Sequence, residues 1–299
     1  MLSSRSLTFK LESVKSEALA LLPDIAVILL EGRDASAFAQ AQTMNDVAAL
    51  PDGHWHWNGW LDAKGRVQAL FALARVAPER LWLLLPDAPA AAFAEALRRF
   101  VLRSRVAIVV REDLGAFAEF GAATAPSTAP ADALLARPGA ECGLDLSTPA
   151  VSRRLWVLPR GETRPDPEAG ARWREADLRH GLPRWPAGCQ HAWTPHMLSL
   201  DRLRAFSVKK GCYPGQEIVA RTHFLGRSKR QAWWLEGEGL KAGAAVEDAQ
   251  ARVLGEVLEA TADGRGALAV AALEAPGTVR VAGSVALAAV PLPGLARPA

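Results

Sequence analysis

Residues Lys209 to Arg230 read KKGCYPGQEIVARTHFLGRSKR, and the rest of the chain is best read outward from them. Gly211 and Gly215 open backbone conformations closed to other residues and let a ligand approach the main chain closely. Pro214 fits the first turn of a helix, so Gln216 and Glu217 are expected in the opening turn of a helix that continues through Ile218 to Arg221. Cys212 would then stand just before that helix, near its unpaired N–H groups and positive dipole end, a setting that favours a thiolate or another anion. Lys209, Lys210 and Arg221 add positive charge. Two readings of Cys212 follow. One is a nucleophilic thiol of lowered pKa; the other is a small buried side chain, the commoner fate of a lone cysteine. The basic surroundings favour the first.

Charge extends the same argument. Between Arg202 and Arg230 there are eight Lys or Arg against the single acid Glu217, a net +7 in a chain whose total is +3. Such a concentration suggests an anionic ligand held there, against the bland reading of a solvated basic face. The three cysteines, Cys142, Cys189 and Cys212, form no CxxC pair and read as free thiols of a reducing compartment. Half of the residues are hydrophobic and 22% are charged, the balance of a globular protein of two or three packed units. No apolar run reaches the roughly 18 residues that span a bilayer, and the first residues lack a signal peptide's apolar core. The expectation is a cytoplasmic protein with no membrane partner.

Upstream, Asp24 to Glu31 reads as a strand, followed by a helix capped by Asp34 and running to Pro51. His54 to Trp60 and Arg66 to Ala74 read as strands joined by the turn Asp62–Gly65, with further strands at Leu81–Leu85 and Val106–Val110 and a helix at Ala90–Leu102. Residues 121–131 read as a linker, Arg154–Leu158 as a strand, and Pro167–His180 as a helix closed by Gly181. After Arg230 only short strands remain, the pattern of a small antiparallel barrel or sandwich, ending in a loose tail. The predicted fold class is α+β, divided into an N-terminal α+β unit (1–135), a second α+β unit carrying the motif (136–228) and a C-terminal β-barrel (229–299).

The stretch Lys210-Gly211-Cys212-Tyr213-Pro214-Gly215-Gln216-Glu217 matches in full the K-G-C-Y-x-G-Q-E signature of the YgfZ family. The flanks TPHMLSLDRLRAFSVKK and IVARTHFLGRSKR, together with FAQAQTMNDV (Phe38–Val47) and LDAKGRV (Leu61–Val67), resemble that family too. The resemblance implies the fold of the glycine-cleavage T-protein: two α+β, ferredoxin-like units and a small antiparallel barrel around a central hole. It also implies tetrahydrofolate binding and a part in assembling or repairing iron–sulfur clusters, with an indirect effect on tRNA modification. Cys212 is then the functional thiol, and Lys210, Gly211, Tyr213, Gly215, Gln216, Glu217 and Arg221 are expected at the cofactor site. Iron–sulfur proteins would be the clients. Folate suits the basic stretch, since its glutamate tail wants cations, and Trp55, Trp57, Trp60 and Trp185 are candidate walls for the pterin.

The alternative is a folate-dependent aminomethyl or one-carbon transferase, for which Asp46 and Asp62 offer carboxylates; a third reading has the basic stretch binding tRNA directly. No metal site is expected, because Cys189, His191 and His196 lack a clear fourth ligand. His223 is the histidine best placed in sequence to modulate Cys212. The segment Leu178–Pro183 resembles a T-protein-like R…GIP region with shortened spacing.

Overall fold

Strand β1 (Ala20–Leu22) turns directly into β2 (Ile25–Glu31), whose apolar residues IAVILL leave neither face for water. Such a strand has to lie between two packed layers. In the computed structural model, which describes residues 19–121, 132–148, 151–184, 192–226, 228–274 and 277–291, it does. Strands β3 (His54–Leu61), β4 (Val67–Ala77), β5 (Arg80–Pro86) and β6 (Ala107–Val110) join it in an antiparallel sheet of order β3-β4-β5-β2-β6. Successive side chains alternate between the faces. Ile28, Leu30, Phe71, Leu73 and Leu83 meet Phe38, Phe93 and Leu97 from the helices α1 (Ala35–Gln42) and α2 (Ala90–Arg98). Val27, Leu29, Trp55, Trp57, Leu70, Trp82 and Leu84 point the other way, into the main core.

That core is closed by a second antiparallel sheet of order β1-β7-β9-β8, with β7 at Leu114–Gly121, β8 at Cys142–Asp145 and β9 at Ser152–Pro159. It contributes Leu22, Ala116, Ala118, Phe120, Leu155 and Val157, and α3 (Pro167–Arg179) adds Trp173 and Leu178. Strand β7, which like its partner β1 precedes residue 135, pairs with β9, and β9 in turn with β8, so the second sheet draws on both sides of that position. After α4 (Gln216–Leu225) the chain forms a closed barrel from β10 (Arg230–Glu236), β11 (Ala245–Glu247), β12 (Val253–Ala260), β13 (Gly266–Ala272), β14 (Thr278–Val281) and β15 (Ser284–Ala289). Within β10, Trp233 and Leu235 fill the barrel, whereas Ala232 and Trp234 join the main core. This alternation docks the barrel.

An ion cluster ties the layers together. Arg184, fully buried, pairs with Asp24 of the β1–β2 turn, Asp87 after β5 and Asp177 of α3, while Arg174 of α3 pairs with Asp24, Asp87 and barrel residue Glu259. Burial pushes the Asp87 carboxyl upward, and the two guanidinium groups more than reverse it, leaving it below the usual carboxylate range. Glu259 stands above that range, because burial outweighs Arg174.

The structure corrects several sequence expectations. Helix α1 stops at Gln42 and does not reach Pro51, and α2 stops at Arg98 and not at Leu102. Asp34 forms no side-chain cap; its Oδ2 accepts the Arg105 N–H at 2.7 Å, tying two loops together. Helix α3 has its ends where expected: Asp166 caps it with bonds to Glu168 and Ala169, and Gly181, at φ +69°, follows its end. The expected 121–131 linker lies, beyond Gly121, outside the described residues, as does the tail after Pro291.

Candidate functional site

Two segments far apart in sequence are built against each other. The hairpin between β3 and β4 turns at Asp62–Gly65, where Asp62 Oδ1 accepts the N–H groups of Lys64 and Arg66, both at 2.9 Å. Gly215 packs on this turn. It holds a left-handed φ of +78° as the N-cap of α4, and a Cβ added to it would stand 2.5 Å from the Asp62 carbonyl oxygen and 2.8 Å from Gly65 Cα. Only glycine meets both demands, the conformation and the approach. Because Gly215 takes the N-cap, Pro214 lies outside the helix and not in its first turn; Gln216 and Glu217 open α4 as expected.

Lys210 is buried under the motif. Its ammonium donates to the carbonyls of Gln40 at 2.5 Å, Thr43 at 2.5 Å and Asn45 at 3.0 Å, and lies 4.8 Å from the Tyr213 ring centroid. A cation there satisfies the last carbonyls of α1 and complements its dipole, which explains where that helix ends. Burial, opposed by Asp46, depresses the Lys210 pKa to about 8. Tyr213 is buried as well, its hydroxyl pushed up to about 12 by desolvation. Gln216 donates to the Lys210 carbonyl at 3.2 Å, whereas Glu217 and Arg221 pair with each other on the exposed side of α4 at 2.6 Å. Lys210 and Tyr213 therefore support the motif from beneath. Gly211 and Cys212 form its exposed crest, and an added Cβ on Gly211 would meet nothing within 4 Å. Cys142 is the opposite case: burial raises its thiol pKa to about 12 and keeps it inert.

Beside the motif a cleft of about 410 Å³ opens between the loop after α1 and the segment leading into Lys209. Asn45, Asp46, His56, Asp132, Arg204 and Phe206 face it, with Lys209 at its rim three residues before Cys212. Asn45 is a structural member: its amide donates to the carbonyls of Trp57 and Arg204, and its N–H donates to buried Asn58. That network fixes the Arg204 backbone, which sits at φ +49°. Exposed Arg204 and Lys209 offer cations, Asp46 and Asp132 carboxylates, and Phe206 an apolar wall. The donor set fits a folate: cations for its glutamate carboxylates, acceptors for a pterin's amino and ring N–H groups, and a volume in the usual range for small-molecule sites.

The basic run does not survive as one patch. Arg202 turns inward to the carbonyls of His180 and Gly181, Lys210 is buried, Arg221 is paired, and Arg230 lies 5.6 Å from the Trp193 ring. Trp55 and Trp57 are core residues in edge contact at 5.5 Å, and Trp60 packs on Phe93, so these three do not wall a ligand slot. Trp185, Cys189 and His191 lie outside the described residues. His223 is exposed between His196 and Phe224, at 6.1 and 4.8 Å. Among the described residues no three His, Cys, Asp or Glu side chains group as metal ligands. Of the two carboxylates considered in sequence, Asp46 lines the cleft and Asp62 shapes the turn. Sequence reasoning does not single out Arg204 and Phe206 for the site, although both lie in the RAFSVKK flank that carries the family resemblance.

Comparison with known proteins bears on the same features. No family model matches the chain. It is 28% identical over 235 residues to the tRNA-modifying protein YgfZ of Vibrio vulnificus strain CMCP6, covering 74% of this chain and 70% of that one. It is also 28% identical over 252 residues to the protein of that name from Serratia proteamaculans, covering 79% and 75%. A crystal structure of the glycine cleavage system aminomethyltransferase T from Bartonella henselae superposes with a TM-score of 0.71 at 17% identity, over 93% of this chain and 86% of that one. The fold is that of the T-protein. Among the described residues no helix is long and apolar enough to cross a membrane.

Proposed function

Starting from a chain that is a relative of the YgfZ proteins and carries the T-protein fold, we propose that it binds tetrahydrofolate in the cleft beside Lys209 and serves iron–sulfur proteins through the exposed thiol of Cys212, with tRNA modification affected through those clients. One observation carries this reading: the motif places its cysteine on an exposed crest, which Lys210 and Tyr213 tie to the wall of a cation-bearing cleft and Gly215 to the neighbouring β3–β4 turn. Folate, when bound, supplies a carrier of one-carbon units. The chain's own residues hold its carboxylates, through Arg204 and Lys209, and present the thiol beside it. Wild type and Cys212→Ala are expected to bind tetrahydrofolate equally in calorimetric titrations, while only the wild type restores iron–sulfur enzyme activity to cells lacking the protein. Absence of binding to both overturns the folate assignment; full restoration by Cys212→Ala overturns the role of the thiol.

A second reading, a folate-dependent one-carbon transferase, draws on Asp46, a carboxylate facing the cleft. Turnover in a glycine-cleavage assay, lost in Asp46→Asn, would establish it in place of the first.

A further inference from the structure

The strongest unassigned positive surface is far from the motif in sequence. From Ala96 to Arg111 the chain carries Arg98, Arg99, Arg103, Arg105 and Arg111 and no acid. The loop joining α2 to β6 is anchored by Val101 and Val106, which pack against the core beneath the helices. This leaves Arg99, Phe100, Leu102, Arg103 and Arg105 exposed. Arg33 adds a fourth outward guanidinium, because its loop is bonded to this one through Asp34 and Arg105. Among the described residues the side chains of Arg99, Arg103 and Arg105 have no ion-pair or hydrogen-bond partner, and Arg33 has only a 3.7 Å pair with Asp34. Phe100 is half exposed and braced edge-on by Trp60 at 6.3 Å.

We propose that this surface, Arg33 with Arg99–Arg105, binds RNA, the guanidinium groups holding backbone phosphates and the braced Phe100 ring offering a stacking face for a base. The polycation is made wholly of arginine, whose planar fork matches phosphate and stacks on bases. A lipid surface is the competing partner for exposed arginines beside apolar side chains. Here Leu102, at 87% exposure, and half-exposed Phe100 are the loop's outward apolar side chains, and two side chains bury too little apolar area to anchor a protein firmly on a bilayer. The choice of tRNA as the probe rests on the tRNA link of the function proposed above; the surface itself rests on its charges.

The test titrates a fluorescent tRNA transcript with the full chain, with the loop variant Arg99→Gln/Arg103→Gln/Arg105→Gln, and with a control of equal charge change. The control, Lys241→Gln/Arg265→Gln/Arg280→Gln, alters three exposed cations of the barrel. Wild-type affinity is expected to fall about a hundredfold between about 50 and 200 mM salt, as four phosphate contacts require. The loop variant should bind roughly tenfold or more weakly with a shallower salt slope, and the barrel control should bind like the wild type. Equal losses in both variants, no binding by the wild type, or loop-dependent binding to phosphatidylcholine–phosphatidylserine vesicles in place of the transcript would each overturn the proposal. Tetrahydrofolate titration of the loop variant, expected to match the wild type, keeps a failure here distinct from a failure of the folate reading.

Discussion

The chain has two segments dense in positive charge, and the fold treats them differently. In 202–230 three cations are engaged, Lys210 under the motif, Arg202 on backbone carbonyls and Arg221 on Glu217, while Arg204 and Lys209 stay exposed at the cleft. In 98–105 most remain outside, with Arg99, Arg103 and Arg105 unpaired among the described residues. The first segment holds more cations, eight against four, but spreads them over 29 residues where the second packs its four into eight. A run of charge in sequence states how many cations are near one another along the chain; the acceptors that the fold brings to them decide how many still face water.

The comparison breaks most readily at Lys210. Lys210→Met removes the donor from three carbonyls and should lower stability by on the order of 3 kcal/mol in denaturant unfolding, since buried acceptors left unmet are costly. An unchanged midpoint would mean that this lysine behaves as a surface cation. Its titration gives a second handle. With the folded pKa depressed to about 8, the unfolded chain holds a proton that the folded chain has shed, from there up to the ordinary lysine value of 10.5. This group's contribution to stability therefore rises with pH across that window and is level below it. The rise should vanish in Lys210→Met.

Much of the fold is legible in the sequence, and the losses have particular causes. Strands β2 to β5 announce themselves by apolar runs and by the turn Asp62–Gly65, and α3 by Pro167 at its start and Gly181 past its end. The end of α1 is not legible, because the ammonium that satisfies its last carbonyls comes from Lys210, 170 residues beyond Gln40. Strand β7 escapes a reading by pattern because LGAFAEFG has small residues where a strand usually shows branched ones; its pairing with β1 and β9 makes it a strand. In the site, the signature points to Cys212 and Gly215, but Arg204 and Phe206 belong to the cleft only through the contact of 204–209 with the loop after α1.

Smaller effects sharpen the same contrast. Gly215→Ala should cost about 2 kcal/mol or more, because the left-handed backbone and the Asp62 carbonyl both oppose a Cβ; thermal unfolding reads it. Glu217→Ala breaks an exposed pair and should change stability by no more than about 0.5 kcal/mol, although it lies within the signature. A large loss there would show that Glu217 supports the motif and not the solvent face.

The central claim is that the cations left exposed at the cleft, Arg204 and Lys209, hold an anionic folate. The direct measurement is a calorimetric titration of tetrahydrofolate into the wild type and into Arg204→Gln/Lys209→Gln. The account predicts saturable binding to the wild type, weakened roughly tenfold or more in the double variant, about 1.4 kcal/mol of binding energy. Equal affinity in the two proteins would contradict it and place the ligand elsewhere.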